Sequence, residues 1–519
     1  MAYLTTVWNL KFTYAAAIVN LFKGSIQLMP MAMQFLVDSY TGHFFMLLFT
    51  SISYCIGLGL LTISTPPVTG ICGEYEAKCI GEEGRELFFA ALAFIAVGMS
   101  GFNVSAHKFQ YFQVVAEMVK GTSYDFGFMY RSCYVVTSTI PIVLILVISF
   151  VKQWLIHFGL PVVFTLIATV LFASGSCEYE VRDLSEKGSP LTAIFRVFVA
   201  SIFKRYEEYP ANPNELYKGN SDSNERLRHT PLLRFLDKAA IILPTSSLVD
   251  QEREKWRLCS VTEVEETKRM ICIIPICLSI IVFGVVSALG DTYFQEQATT
   301  MNAKIWRLTV PLNFFKLIYN GWQGPRGPTD QDKFPGLFGV GFVRLLVAMV
   351  IGIVCCSTAA IVEFCRLKAN KYPMSILWLI PQFILLGIFE RKYEQGSYNL
   401  LAQTIGPAMK EDYLGHVVSI FSGIGIIGGT VGVLVVDLIS KSGGKGGWFQ
   451  DSLNESRLDY YYWLLALLGV LNVGFFLFMN RACNSWLAQL EEIRNERDED
   501  VSAIEASYDR SDLIRPFLE

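Results

Sequence analysis

Apolar blocks recur along almost the whole chain, and they leave few folds open. A membrane-crossing helix needs about 20 mostly apolar residues. Blocks of roughly that length run over about 14–37, 43–63, 86–107, 130–151 and 155–175, then over about 270–290, 305–322, 337–362, 374–402, 413–439 and 459–480. Charged residues make up only 17% of the chain and hydrophobic ones 52%, whereas soluble domains carry about 25% charged residues. The chain therefore reads as an all-α polytopic membrane protein with about eleven transmembrane helices. The block at 305–322 is the weakest, broken by Arg307, Lys316 and Asn320.

One long polar stretch divides the blocks. It runs from Cys177-Glu178-Tyr179-Glu180 to Glu265-Glu266-Thr267-Lys268-Arg269 and holds Lys204, Arg205, Arg226, Arg228, Arg234, Lys238, Arg253, Lys255 and Arg257. Loops rich in Lys and Arg stay on the cytoplasmic side. The expected division is thus an N-terminal helical bundle over 1–176, a cytosolic connector over 177–269, a C-terminal bundle over 270–482 and a cytosolic tail over 483–519. Asp and Glu are interspersed with the cations, so the connector reads as a solvated linker rather than a lipid-binding patch. The net charge of −4 gives no nucleic-acid footprint.

Five spans before the connector and six after it put Met1 on the far side of the membrane. The start, Met1-Ala2-Tyr3-Leu4-Thr5-Thr6-Val7-Trp8, reads like the last turns of a helix. Two equal halves would need one more, so the first helix is expected to be missing. That leaves a groove whose polar groups face lipid at a cost, which a protein partner could cover.

The cysteines are scattered, and only Cys72 and Cys79 share a short polar loop, where an oxidising side would permit a disulfide. No thiol spacing suggests zinc, and His43, His107, His157, His229 and His416 are too dispersed to ligate together. Neither a metal nor a cofactor is expected. Without a nucleophile elbow or a nucleotide-binding loop, the chain does not read as an enzyme.

Longer motifs carry a family likeness. They include His229-Thr230-Pro231-Leu232-Leu233-Arg234-Phe235-Leu236-Asp237-Lys238, Trp256-Arg257-Leu258-Cys259-Ser260-Val261-Thr262-Glu263-Val264-Glu265-Glu266-Thr267-Lys268, and Leu379-Ile380-Pro381-Gln382-Phe383 leading to Glu390. Asp38-Ser39-Tyr40-Thr41-Gly42-His43 is similar to a loop between the second and third helices of major facilitators. Across nearly its whole length the chain resembles the plant nitrate/peptide transporter family, the proton-dependent oligopeptide transporter branch of the major facilitator superfamily. The resemblance implies a major facilitator fold of two helical bundles around a central cavity. It also implies alternating access driven by protons, with nitrate, short peptides or other small metabolites as cargo. Three departures stand out. The family's first-helix proton motif is absent with its helix, Asn103 sits near the place of a frequent Lys, and Met33 replaces a usual Gly.

Glu390 is the first candidate for chemistry. It lies in an apolar run, and a charge near the bilayer centre costs roughly 2.5–3.5 kcal/mol, so it normally faces a wet cavity or a partner. The competing reading is that the helix emerges near 390 and the charges there are solvated. Glu394 shares its helical face with Arg391 alongside, and the resemblance implies that the matching Glu lines the cavity. Asn103 is either a neutral cavity residue or a helix-packing one, and the resemblance favours a cavity-lining Gln295. The candidate substrate and proton cavity is thus Glu390, Asn103, Gln295, Arg391 and Glu394, with Glu390 as the sole intramembrane carboxylate relied on. Lys304, at the outer end of its helix, reads as an interfacial anchor.

The expected function is a secondary active transporter of a small molecule or anion, with proton coupling weakened. The alternative is a transport-incompetent regulatory or truncated member. The expected partners are the substrate, protons and the lipid bilayer. The expected membrane is the plasma membrane, with the vacuolar membrane as the alternative.

Overall fold

The computed structural model describes residues 1–69, 75–119, 135, 140, 148, 151, 153–180, 189–210, 212, 215–219, 229–244, 247–254, 256–305, 308–323, 340–369, 373–405, 411–442, 447–450 and 452–483. It divides into two compact units, Met1–Thr192 with Cys277–Val473, and Ala193–Ile276 with Gly474–Glu519. Among the described residues seven helical stretches are long and apolar enough to cross a membrane: Phe12–Ile63, Glu82–Ala116, Trp154–Cys177, Val261–Thr299, Gly341–Lys368, Tyr413–Ser442 and Leu458–Cys483. The block expected at 130–151 lies almost wholly outside the described residues.

The first unit opens with a short helix α1 (Ala2–Thr6), followed by α2 (Phe12–Leu28) and α3 (Pro30–Leu36). A five-residue π turn, Val37–Thr41, then reaches Gly42, whose φ of 66° suits a residue without a Cβ. That turn separates the first span from α4 (Gly42–Ile63), which packs most extensively against α5 (Glu82–Val119) and also meets α6 (Trp154–Ser174). Tyr3, Leu4 and Val7 are buried in one core with Leu58, Phe88 and Ile95. Cys79 is disulfide-bonded, while Cys72, its expected partner, lies outside the described residues.

The polar stretch does not fold as a linker. Helix α7 (Pro190–Phe203) buries Val197 and Ala200 against Leu236, Ala239, Ala240, Cys259 and Val264. A capping box at Ser260 and Glu263 starts α8 (Val261–Ser287): Glu263 accepts from the Ser260 backbone at 3.0 Å, and its own N–H donates to Ser260 Oγ at 3.3 Å. The Lys268 ammonium sits 2.6 Å from Asp237 Oδ1 and 2.7 Å from Glu265 Oε1. His229 Nε2 lies 2.9 Å from Asp237 Oδ2, and the Thr230 hydroxyl donates to Glu265 at 2.6 Å. These groups are buried or nearly so, which makes the two long motifs halves of one ionic knot. The solvated-linker expectation is therefore corrected: periodic apolar residues between the charges supply a core. His229, Asp237 and Glu265 do bring ligand atoms within 4.8 Å of one another, but Lys268 already supplies the cation.

Lys204 is also buried here, donating to the Ala239 and Ile241 carbonyls at 3.2 and 2.5 Å. Burial pulls its ammonium down to about 8 from 10.5. Between those values the unfolded chain holds a proton that the folded connector has released, so folding stability should rise with pH over that window. Thermal unfolding between pH 7.5 and 9.5 checks the sign, and Lys204→Met should flatten the dependence.

The rest of the first unit is built from α9 (Tyr293–Thr299), α10 (Asn313–Gln323), α11 (Val340–Lys368), α12 (Ile380–Ile405), α13 (Glu411–Ser442) and, up to Val473, α14 (Leu458–Cys483). The span expected over 305–322 is corrected. A two-residue antiparallel pairing, Lys304–Ile305 with Leu308–Thr309, precedes an eleven-residue helix, so Lys304 stands on a strand and not at a helix end. Helix α13 is the seam of this unit. A Cβ on Gly423 would meet Gly24 O and Gln27 Cβ of α2 at 3.0 Å, and one on Gly425 would meet Ile281 O of α8 at 2.0 Å. Backbones can approach that closely only where no side chain intervenes.

Candidate functional site

Helix α8 does not run directly into α9. It ends at Ser287, and a 3-10 turn, Ala288–Asp291, intervenes. That turn aims Asp291 into the same cleft as Ser287, Gln295, Lys316, Tyr319 and Phe383. Asp291 is held from two helices. Lys23 of α2 bonds its Oδ2, and Lys316 of α10 stands 3.4 Å from its Oδ1. Gln295 Nε2 donates to the same Oδ1 at 3.3 Å.

Glu390, on α12, is clamped on both oxygens: Ser287 Oγ donates to Oε1 and Tyr319 OH to Oε2. Hydrogen bonds to a charged group contribute about 1.5–3 kcal/mol each, comparable with the roughly 2.5–3.5 kcal/mol cost of a charge at the bilayer centre. Lys316 and Tyr319 are three residues apart on α10, so one helical face serves both acids.

A second buried network lies among α9, α11, α12 and α14. Glu363 is fully buried and takes Arg366 Nε at 2.8 Å on Oε2 and Nη2 at 2.8 Å on Oε1. Gln297 donates to Glu363 at 2.6 Å, and its carbonyl oxygen accepts from Gln382 at 3.1 Å and Tyr462 at 3.2 Å. Arg366 Nη1 reaches Asn454 at 2.5 Å. Every residue in that chain bonds its neighbour, which fits a brace more than a reaction centre.

The five candidates from sequence separate. Glu390 and Gln295 belong to the cleft region. Asn103, Arg391 and Glu394 are exposed and stand outside the cluster. Arg391 falls off because it points about 100° away from Glu390 on the helix, whereas Glu394, one turn further along the same face, is exposed and so lies beyond the cluster. Glu390 is not the only acid held between the helices of this unit: Asp291 and Glu363 are paired there as well. Asp291 escapes sequence reasoning because the apolar run stops at 290, and Lys23 because a lone cation in a span names no partner. The pairing of a lone Lys in one span with a lone Asp at the end of another is the available signal.

The family model of PTR2, the POT family, matches residues 44–322. Protein NRT1/PTR FAMILY 5.5 of Arabidopsis thaliana is 35% identical over 504 residues, covering 91% of this chain and 91% of the relative. The chain belongs to the POT family. Protein NRT1/PTR FAMILY 5.6 of Arabidopsis thaliana is 30% identical over 509 residues, covering 93% of this chain and 86% of that relative. In three dimensions the chain is similar to an auto-inhibited POT family peptide transporter at a TM-score of 0.61 and 15% identity, with 92% of each chain covered. As a POT-family protein it is a multi-pass membrane transporter of the major facilitator type, and not an enzyme.

Proposed function

We propose that this POT-family protein carries nitrate, a short peptide or a similar small metabolite across the membrane together with protons, and that Glu390 is the group that takes the proton. The observation carrying the reading is the clamp of Ser287 and Tyr319, from two other helices, on the Glu390 carboxylate. Both hydroxyls donate to an ionised Glu390. On protonation one of its oxygens becomes a donor, and one hydroxyl must turn away. Ser287 ends α8 and Tyr319 sits on α10, so a proton arriving at α12 alters its bond to one of two other helices. Coupling needs a group whose proton affinity differs between conformations, and such a clamp is one that a helix movement would break. The peptide arm of the proposal follows the similarity to a solved peptide transporter, and the nitrate arm follows the family resemblance.

The test is uptake by proteoliposomes holding the purified chain, acid outside, with nitrate and Ala-Ala as separate cargoes. Accumulation several-fold above protein-free vesicles, collapsing when a protonophore dissipates the gradient, is the expected result. No accumulation of either cargo by a correctly inserted, monodisperse protein would remove the reading.

A further inference from the structure

We propose that an exposed face of cations and tyrosines on the connector fold is the docking site for this chain's own acidic C-terminal segment, residues 491–500. Nothing in this contact depends on the cargo.

Several cations of the second unit meet carboxylates: Arg196 pairs with Glu263, Lys268 with Asp237 and Glu265, and Arg257 with Glu254. Arg205, Arg234 and Lys238 meet none among the described residues. They meet tyrosine rings instead. The Arg205 guanidinium stands 4.5 Å from the centre of the Tyr206 ring, and Arg234 and Lys238 stand 5.8 and 5.0 Å from that of Tyr209. One face holds all three, because Lys238 Nζ donates to the Arg205 carbonyl at 2.5 Å and the Tyr209 hydroxyl to that of Arg234 at 3.0 Å. Glu207 and Glu208 follow in sequence, are exposed, and pair with none of them. A ring attracts a cation but accepts no hydrogen bond at the edge of a guanidinium, so the N–H groups there remain open to a carboxylate. Tyr206 is 83% exposed and Phe235 50%, so apolar surface lies among the charges. The matching ligand is a peptide with carboxylates for the cations and aliphatic side chains for the rings.

The chain carries such a peptide. Residues 491–500 hold six acids, among them Glu496, Asp498, Glu499 and Asp500, against Arg494 and Arg497, with Ile493 between. They lie outside the described residues, and their charge and their tether select them. Helix α14 ends at Cys483, and from Gly474 onward it belongs to the same compact unit as the connector. Cys483 is near enough to Cys272 of α8 for the two thiols to interact electrostatically. From Cys272 back to Val261, where α8 starts beside the core under α7, the helix rises about 17 Å. Glu491 is eight positions beyond Cys483, a length of chain that reaches at most about 28 Å. The acids that follow reach further. A short tether also holds its segment at roughly millimolar effective concentration, which a free acidic peptide would have to match.

The experiment uses the full chain in nanodiscs of uncharged phosphatidylcholine. A carbodiimide joins an amine to a carboxylate in direct contact with it, and mass spectrometry locates the joints. Wild type should link Lys238 to an acid within residues 491–500. The yield should fall about fivefold between 0.1 M and 1 M NaCl, as the screening length drops from about 10 Å to about 3 Å. Replacing Glu496, Asp498, Glu499 and Asp500 together by Lys should lower the yield about tenfold, as should Arg205→Glu with Arg234→Glu. Combining the two sets should restore a link between the same two segments, with the amines now on the tail, which a merely misfolded variant would not do. Heavy and light isotopic forms, mixed before reconstitution, distinguish a contact within one chain from one between copies. The proposal is overturned by no link at Lys238, by links confined to Glu207 or Glu208, by links joining heavy to light chains, or by an unchanged yield in the tail variant. It is also overturned if Lys238 is acetylated freely in phosphatidylcholine and protected only when phosphatidylserine is added, which would give this face to the bilayer.

Discussion

Glu390→Gln should leave the protein folded and cut uptake driven by a pH gradient at least tenfold. Glutamine has the shape of glutamate, and its carbonyl oxygen can still accept from Ser287. Its amide nitrogen is a donor, however, and meets the Tyr319 hydroxyl donor to donor, so that hydroxyl must rotate to accept. The variant thus mimics the protonated state in bonding but cannot release or take a proton. Uptake should therefore lose its pH dependence, whereas exchange of cargo on both sides of the membrane, which needs no net proton movement, should survive better. Glu390→Asp shortens the reach to both hydroxyls and should keep a pH profile at reduced rate. If Glu390→Gln accumulates cargo in response to pH within twofold of wild type, the proton is bound elsewhere, and Asp291 becomes the next group to replace.

Arg366→Met should lower the melting temperature of the detergent-solubilised carrier more than any surface change. It leaves Glu363, with no exposed surface, facing Gln297 alone. Removing one partner of a buried pair costs about 3–5 kcal/mol, while replacing both by apolar residues is often close to neutral. The double variant Glu363→Met with Arg366→Met should accordingly recover part of the loss. Its remaining deficit would measure the bonds to Thr300, Asn454 and Gln297. Equal melting temperatures for wild type and Arg366→Met would show that Glu363 is solvated or protonated in the folded carrier.

Much of the architecture can be read from apolar run length alone, because a bilayer imposes one requirement on every span. Polar groups are harder. Glu390 announces itself as a charge within an apolar run. Asp291 sits where an apolar run ends, and run length gives no information about which way a side chain points once the helix breaks. Lys23 is one cation in a long apolar stretch, and its partner Asp291 lies 268 positions away in sequence, beyond any periodicity. The polar stretch misleads for a related reason. Its charges are dense enough to look solvated, yet Asp237, Glu265 and Lys268 neutralise one another in the interior, and composition does not reveal pairing. The hairpin at Lys304–Thr309 shows the opposite error, since a run of apolar residues interrupted by charge reads as a span and folds as a turn of strand before a short helix.

The contact between Gly24 and Gly423 carries a mechanical consequence. Ile427 already packs over Gly24, and Gln27 and Leu28 over Gly423, so the flanks of the joint are filled when it is closed. A separation of one or two ångströms would leave a void too narrow for water or an acyl chain, and dispersion contacts would be lost with nothing gained in return. Such a joint has two comfortable settings, shut or wide apart, and behaves as a snap fastener more than as a hinge.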